Sequence, residues 1–184
     1  LALLARDESR ANTDPLQAFA GSHFEVAGYF AESVLQEQSD EVRTFLLVSS
    51  IVDRMTGELC DALLGIAHSQ SLLERLEHAQ LFIQPLDGHR HWFRYHTFFL
   101  DFLRSRLRRD EPTQIALLHE RASRWYAEHQ FCEDALKHAF AAKNSAWRNE
   151  LLARCLAAWL QNGEIAEVLR WTSRLAPEDI AADA

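Results

Sequence analysis

Leu81-Phe-Ile-Gln-Pro-Leu-Asp-Gly-His-Arg-His-Trp-Phe-Arg-Tyr95 is the stretch where the periodicity of this chain changes. Leu81 to Pro85 and Trp92 to Tyr95 are short β-prone runs around Asp87-Gly88, the dipeptide that favours a tight primed turn. Pro85 lacks an N–H and keeps the first strand at an edge. Upstream, the apolar residues recur at helical spacing. Ser39 precedes Asp40 and Glu41, acids that suit a helix N-terminus, and Val42, Phe45, Leu46, Ser49 and Val52 then share one face. Thr56 opens a helix carrying Leu59, Cys60, Leu63 and Leu64, which Gly65 stops. Ser71 and Glu74 read as a capping box opening a third helix with Leu72, Leu73, Leu76 and Ala79. Three helices and a two-stranded wing outline a winged helix, and Thr97 to Arg109 forms a further helix leaving it.

Downstream of Pro112 the pattern is helical and it repeats. Leu117-Leu118 recurs as Leu151-Leu152, Trp125 as Trp159, Phe131 as Ile165 and Glu133 as Glu167, each 34 residues on. That is the step of tetratricopeptide helix pairs, whose units stack on a continuous core. Ala135, Ala139 and Ala142 suit close packing within a pair. About two units are present, fewer than such arrays need, so the array reads as truncated. Upstream of the winged helix, Asp14 with Pro15 starts one amphipathic helix. Ser22 with Glu25 starts another, with Phe24, Ala27, Phe30, Ala31 and Val34 as its stripe. The expected fold is mainly α: a winged helix with one β-hairpin, followed by tetratricopeptide-like antiparallel helix pairs. The expected divisions are 1–38 (helical segment), 39–109 (winged helix) and 110–184 (first repeats).

Composition excludes more than it selects. The 184 residues carry 27 acidic and 19 basic side chains, a net charge of −8, which opposes a general nucleic-acid footprint. By region the balance is 2 basic and 6 acidic over 1–38, 9 and 9 over 39–109, and 8 and 12 over 110–184. The winged helix is neutral, so charge balance alone does not exclude DNA there. Its third helix, the DNA reader in a DNA-binding winged helix, presents Glu74 and Glu77 against Arg75 and is adverse to phosphate. No apolar run approaches the ~18 residues of a membrane span. Cys60, Cys132 and Cys155 lie far apart, a set that does not make a disulfide framework and points to a reducing cytoplasm. The chain opens at Leu1 in mid-pattern and its one methionine is Met55, so it reads as an internal piece of a longer protein.

Candidate chemistry is sparse. There is no Gly-Lys dipeptide and hence no P-loop. Phe45 to Asp53 (FLLVSSIVD) has the look of a nucleotide-hydrolysis strand, but its helical spacing makes it a core helix. His89, His91 and His96 cluster around the wing, where His89 and His91 would share a strand face without the cysteine or carboxylate that completes a metal set. His119-Glu120 lacks a second histidine and reads as a solvated helix pair. The basic run Arg104, Arg106, Arg108 and Arg109 fits either a solvated or interdomain ion-pair face or a phosphate contact. Trp125 and Trp159 are expected in the repeat core, with Trp147 and Trp171 on an exposed partner face.

Four stretches, taken in order, carry a family likeness: Gly21-Ser-His-Phe…Tyr29-Phe-Ala-Glu-Ser-Val-Leu35, Val42-Arg-Thr-Phe-Leu-Leu-Val-Ser-Ser-Ile-Val-Asp53, Leu59-Cys-Asp-Ala-Leu-Leu-Gly65 and Phe93-Arg-Tyr-His-Thr-Phe-Phe-Leu-Asp-Phe-Leu103. Glu133-Asp-Ala-Leu-Lys-His-Ala139 looks like a first helical repeat. The chain resembles the ATP-dependent LuxR-type transcriptional activators, the MalT-like branch of the signal-transduction NTPases. The resemblance implies a non-catalytic regulatory segment that couples nucleotide state to inducer sensing and oligomerisation. It implies ATP or ADP for the parent protein and no cofactor within the segment. The implied partners are the neighbouring NTPase domain, further repeats of the same chain and self-association, with DNA reached only through a C-terminal domain outside this chain. By motif position it gives His96 a contact to the nucleotide phosphates; many relatives carry a second histidine where this chain has Thr97. The residues alone leave two roles open for His96: donation to a phosphate at the helix N-terminus that follows it, or a hydrogen bond within the hairpin. The other reading of the whole chain is a stand-alone helical-repeat module for protein–protein interaction.

Overall fold

The computed structural model describes residues 28–29 and 31–174. The expectations placed on Asp14, Pro15, Ser22, Phe24, Glu25, Ala27 and Phe30 lie outside the described residues. Residues 31–36 are helical, with Ala31 and Leu35 buried. Contacts divide the chain between Arg43 and Thr44, within the first long helix, into two compact units. In the first of them Arg43 donates to the carbonyls of Leu35, Gln36 and Gln38, which closes the 31–36 helix.

The helices that follow are α1 (Asp40–Ser49), α2 (Gly57–Leu64) and α3 (Ser69–His78), then strands β1 (Ile83–Pro85) and β2 (Phe93–Tyr95), and α4 (Thr97–Asp110). The expected face of α1 is the buried one: Val42, Phe45, Leu46, Ser49 and, just past its end, Val52. Ser39 Oγ accepts from the Val42 N–H. Thr56 caps α2 by accepting from the Leu59 N–H at 3.1 Å, and Gly65 ends it in the left-handed region that a glycine enters without steric cost.

The capping box expected at Ser71 and Glu74 does not form. α3 begins three residues earlier, at Ser69, whose N–H is taken by Asp61 Oδ1 from α2 at 2.9 Å. Ser71 Oγ donates to the His68 carbonyl, Glu74 pairs with Gln70, and Ala79 lies past the helix end, exposed. A carboxylate from a neighbouring helix has replaced the local cap. Gly57 makes the α2–α3 approach possible, because a Cβ there would lie 2.7–2.9 Å from Gln70 Cβ, N and Cα.

The hairpin exists with a different turn. Ile83 faces Tyr95, Gln84 faces Arg94 and Pro85 faces Phe93, which leaves a loop of residues 86–92. Gly88 is not left-handed, as a primed Asp-Gly turn requires; Arg90 is. Asp87 organises the loop: its carboxylate accepts from the N–H groups of His89 and His91 at 3.0 Å and of Trp92 at 2.9 Å. These bonds, that from His91 foremost, hold the Asp87 carboxyl below its ordinary range. β2 is the central strand, because Phe93 also exchanges both backbone bonds with Met55 ahead of α2. Pro85 faces Phe93 at a pair where no N–H is called for, which is how proline fits there.

The repeats are α5 (Ile115–Glu128), α6 (Cys132–Ala141), α7 (Ser145–Asn162) and α8 (Ile165–Thr172). Trp125 and Trp159 are each 7% exposed, as the 34-residue step requires of equivalent core positions. Ser123 ties three helices, donating to the Ala135 carbonyl on α6 and accepting from Trp147 Nε1 on α7. The exposed partner face expected for Trp147 and Trp171 is absent: Trp147 is half-buried by this bond and the Arg124 guanidinium, and Trp171 is 2% exposed against Phe140. The expectation for the cysteines is also corrected. Cys132 opens α6 and Cys155 lies midway along α7, and helix packing brings their Cα atoms to 5.8 Å in a disulfide. Cys60 is free and buried.

Candidate functional site

His96 is the residue between strand and helix. Its N–H donates to the Phe82 carbonyl at 2.7 Å, its carbonyl accepts from Leu100, and α4 starts at the next residue. The backbone therefore makes the hairpin bond, while the side chain makes no capping bond and is exposed. The first turn of α4 leaves amide N–H groups without helical acceptors, a setting that favours an anion. Immediately before it, Tyr95 is buried and its hydroxyl lies 2.7 Å from Ser49 Oγ on α1; burial pushes the phenol well above its ordinary pKa. Phe99, one turn into α4, packs on Phe82 and Tyr95. His96 is thus an exposed ring on a rigid mount that reaches α1, α4 and the wing.

His89 and His91 lie in the Asp87 loop and share no strand face. Phe45 to Ser49 is helical, as its spacing requires, and the terminal Asp53 of that run has a structural task. Asp53 accepts from Arg104 Nη2 on α4 at 2.7 Å and from Lys137 Nζ on α6. Burial alone would raise its pKa, but the hydrogen bonds from Lys137 and Arg104 outweigh it and hold the carboxyl at about 2.

A second joint lies beside the first. Arg54 pairs with Asp134 on α6 at 2.9 Å, and its guanidinium lies 4.7 Å from the Trp92 ring centroid and 5.5 Å from that of Phe131. Trp92 also meets Trp125 and Phe131 edge-on, and Tyr126 donates to the Arg54 carbonyl. Arg121 on α5 donates to the Leu63 carbonyl on α2 at 2.7 Å. A displacement of the wing would have to break these contacts or carry the repeats with it.

His119 is half-buried and paired, not part of a solvated helix pair. Its Nδ1 lies 2.8 Å from Nδ1 of His138, which is 4% exposed. One Nδ1 must donate and the other accept, so the pair requires opposite tautomers. Burial, then the nearby Arg104 and Lys137 charges, lower the His119 pKa to about 4. Burial, then His119 and Lys137, lower that of His138 to about 3. No sequence signal linked these histidines, 19 residues apart. A larger cavity, about 660 Å³, opens between the two repeats beside the disulfide and Trp159.

The sequence profile of the MalT winged helix domain matches residues 31–115, the span from the 31–36 helix through the wing and α4 to the start of α5. This is a MalT winged helix domain, carried in a MalT-like chain. The HTH-type transcriptional regulator MalT of Klebsiella pneumoniae is 31% identical over 155 residues, 83% of this chain and 17% of that protein. MalT of Vibrio cholerae is 29% identical over 187 residues, 98% of this chain and 20% of the regulator. Serine/threonine-protein kinase PknK of Mycobacterium tuberculosis is 40% identical over 134 residues, 73% of this chain and 12% of the kinase. The MalT-like chain therefore spans a fifth or less of these relatives' length. Among the described residues, no helix is long and apolar enough to cross a membrane.

Proposed function

We propose that this chain is a non-catalytic regulatory segment of an ATP-dependent, LuxR-type MalT-like regulator, in which the winged helix senses nucleotide state and passes it to the repeats. The observation that carries the proposal is the exposed, uncommitted His96 ring at the N-terminus of α4, on a mount continuous with the α4–Asp53–α6 joint. His96 would donate to a phosphate oxygen of ATP or ADP held mainly by a neighbouring NTPase domain; the N-terminal end of α4, where the helix dipole favours an anion, fits that contact. The relatives support a regulatory part. A kinase and a transcriptional regulator have different outputs, so what both share with this chain is not the output itself. The partners in this reading are that NTPase domain, further repeats of the same chain and a second copy of the protein. DNA would be bound by a separate C-terminal domain.

The alternative, a stand-alone repeat module using a groove between its helices, has the 660 Å³ cavity in its favour. Basal transcription by the full-length regulator separates the two. The proposal expects His96→Ala to raise uninduced output, because the contact holding the closed state is lost. Uninduced output equal to that of the unaltered protein would refute it.

A further inference from the structure

The arginine run of α4 does not act as one face. Arg104 is engaged by Asp53 and by the Ser50 carbonyl, and Arg106 and Arg109 both pair with Asp110. Arg108 has no hydrogen bond or ion pair among the described residues. It lines a cavity of about 360 Å³ with Arg104 on the same helix, Asp53, Lys137 on α6 and the paired His119 and His138. With the imidazoles neutral, three cations face one carboxylate, an excess of two positive charges. The rest of the wall is apolar, chiefly Ile51, Leu107 and Ile115. A cavity of this size, apolar with a few convergent polar groups, has the form of a small-molecule site.

We propose that this cavity binds a small organic phosphate monoester, its oxygens on Arg108, Lys137 and the His119–His138 pair and its carbon body on Ile51, Leu107 and Ile115. Charge selects the class. A phosphate monoester carries roughly −1.5 to −2 at pH 7 and matches the excess of two, and a guanidinium fork suits its oxygens. The walls come from α4 of the winged helix and from α5 and α6 of the first repeat, so an occupant would tighten the joint between them. Arg108 lies eleven residues beyond Thr97, roughly 16 Å along α4 at the usual helical rise, so this site is separate from the contact assigned to His96.

Isothermal titration of the full-length protein with phenyl phosphate, using inorganic phosphate as the comparison, tests this site. Single-site saturation by phenyl phosphate is expected, weaker with inorganic phosphate, which leaves the apolar wall unused. Arg108 is exposed, so Arg108→Gln should fold as before and lose on the order of ten-fold in affinity. Arg108→Lys should lose less, and Ile115→Trp, which fills the cavity, should abolish binding while the far-ultraviolet circular dichroism is retained. With the nucleotide site filled by saturating ADP, phenyl phosphate binding should be unchanged, so the site can fail or stand apart from the nucleotide reading. No saturation, or equal affinity in Arg108→Gln, would overturn the proposal.

Discussion

Lowering the pH should destabilise this protein well before its carboxylates titrate, and His138 is the reason. In an unfolded chain a histidine titrates near 6.5, whereas burial against His119 keeps His138 neutral down to about 3. Between those values the unfolded chain binds a proton that the folded one refuses, so stability falls as pH falls, then levels off below the folded value. Each pH unit below 6.5 costs about 1.36 kcal/mol, so at pH 5 His138 alone should remove about 2 kcal/mol relative to pH 8. His119 adds to this, by less than its shift implies, because its ring is partly exposed to solvent. Asp53 does not interfere: its folded pKa of about 2 stabilises above 3.8 and is lost only below it. Urea unfolding followed by tryptophan fluorescence at pH 8, 6.5 and 5 measures the slope. His138→Gln should flatten the fall by about 2 kcal/mol. Equal falls in both proteins would refute the assignment of a buried neutral imidazole.

Two further outcomes follow from packing and cross-linking. Gly57→Ala places a Cβ within 2.9 Å of the Gln70 backbone, where no side-chain rotation relieves it, and should cost about 1–3 kcal/mol in the same assay; an unchanged midpoint would contradict the α2–α3 approach. The Cys132–Cys155 disulfide spans a sequence separation of 23, so dithiothreitol, or Cys132→Ser, should lower stability by about 3 kcal/mol; identical unfolding with and without reductant would contradict the cross-link.

Where local chemistry decides structure, the sequence was legible. Thr56 and Gly65 bound α2 because a side-chain oxygen and a missing Cβ act on adjacent backbone. The buried face of α1 and the paired burial of Trp125 and Trp159 follow from periodicity. What was illegible depends on partners from elsewhere in the fold. Asp61 supplied the cap expected from Ser71, Asp87 closed a loop where its dipeptide favours a two-residue turn, and Cys132 met Cys155 across a helix pair. The histidine pair and the unpaired Arg108 are of the same kind, since residue type says nothing of which helix faces which. His96 is the mixed case. Its place between hairpin and helix was readable, and the structure adds that its backbone makes the hairpin bond while its ring remains uncommitted.

The central claim is that His96 holds the closed, nucleotide-bound arrangement of the parent regulator. Its most direct test is the dissociation rate of a fluorescent ADP analogue from the full-length protein, unaltered and as His96→Ala. A lost charge-assisted contact should speed release on the order of ten-fold or more, with the unfolding midpoint unchanged because the ring is exposed. Identical release rates would contradict the claim.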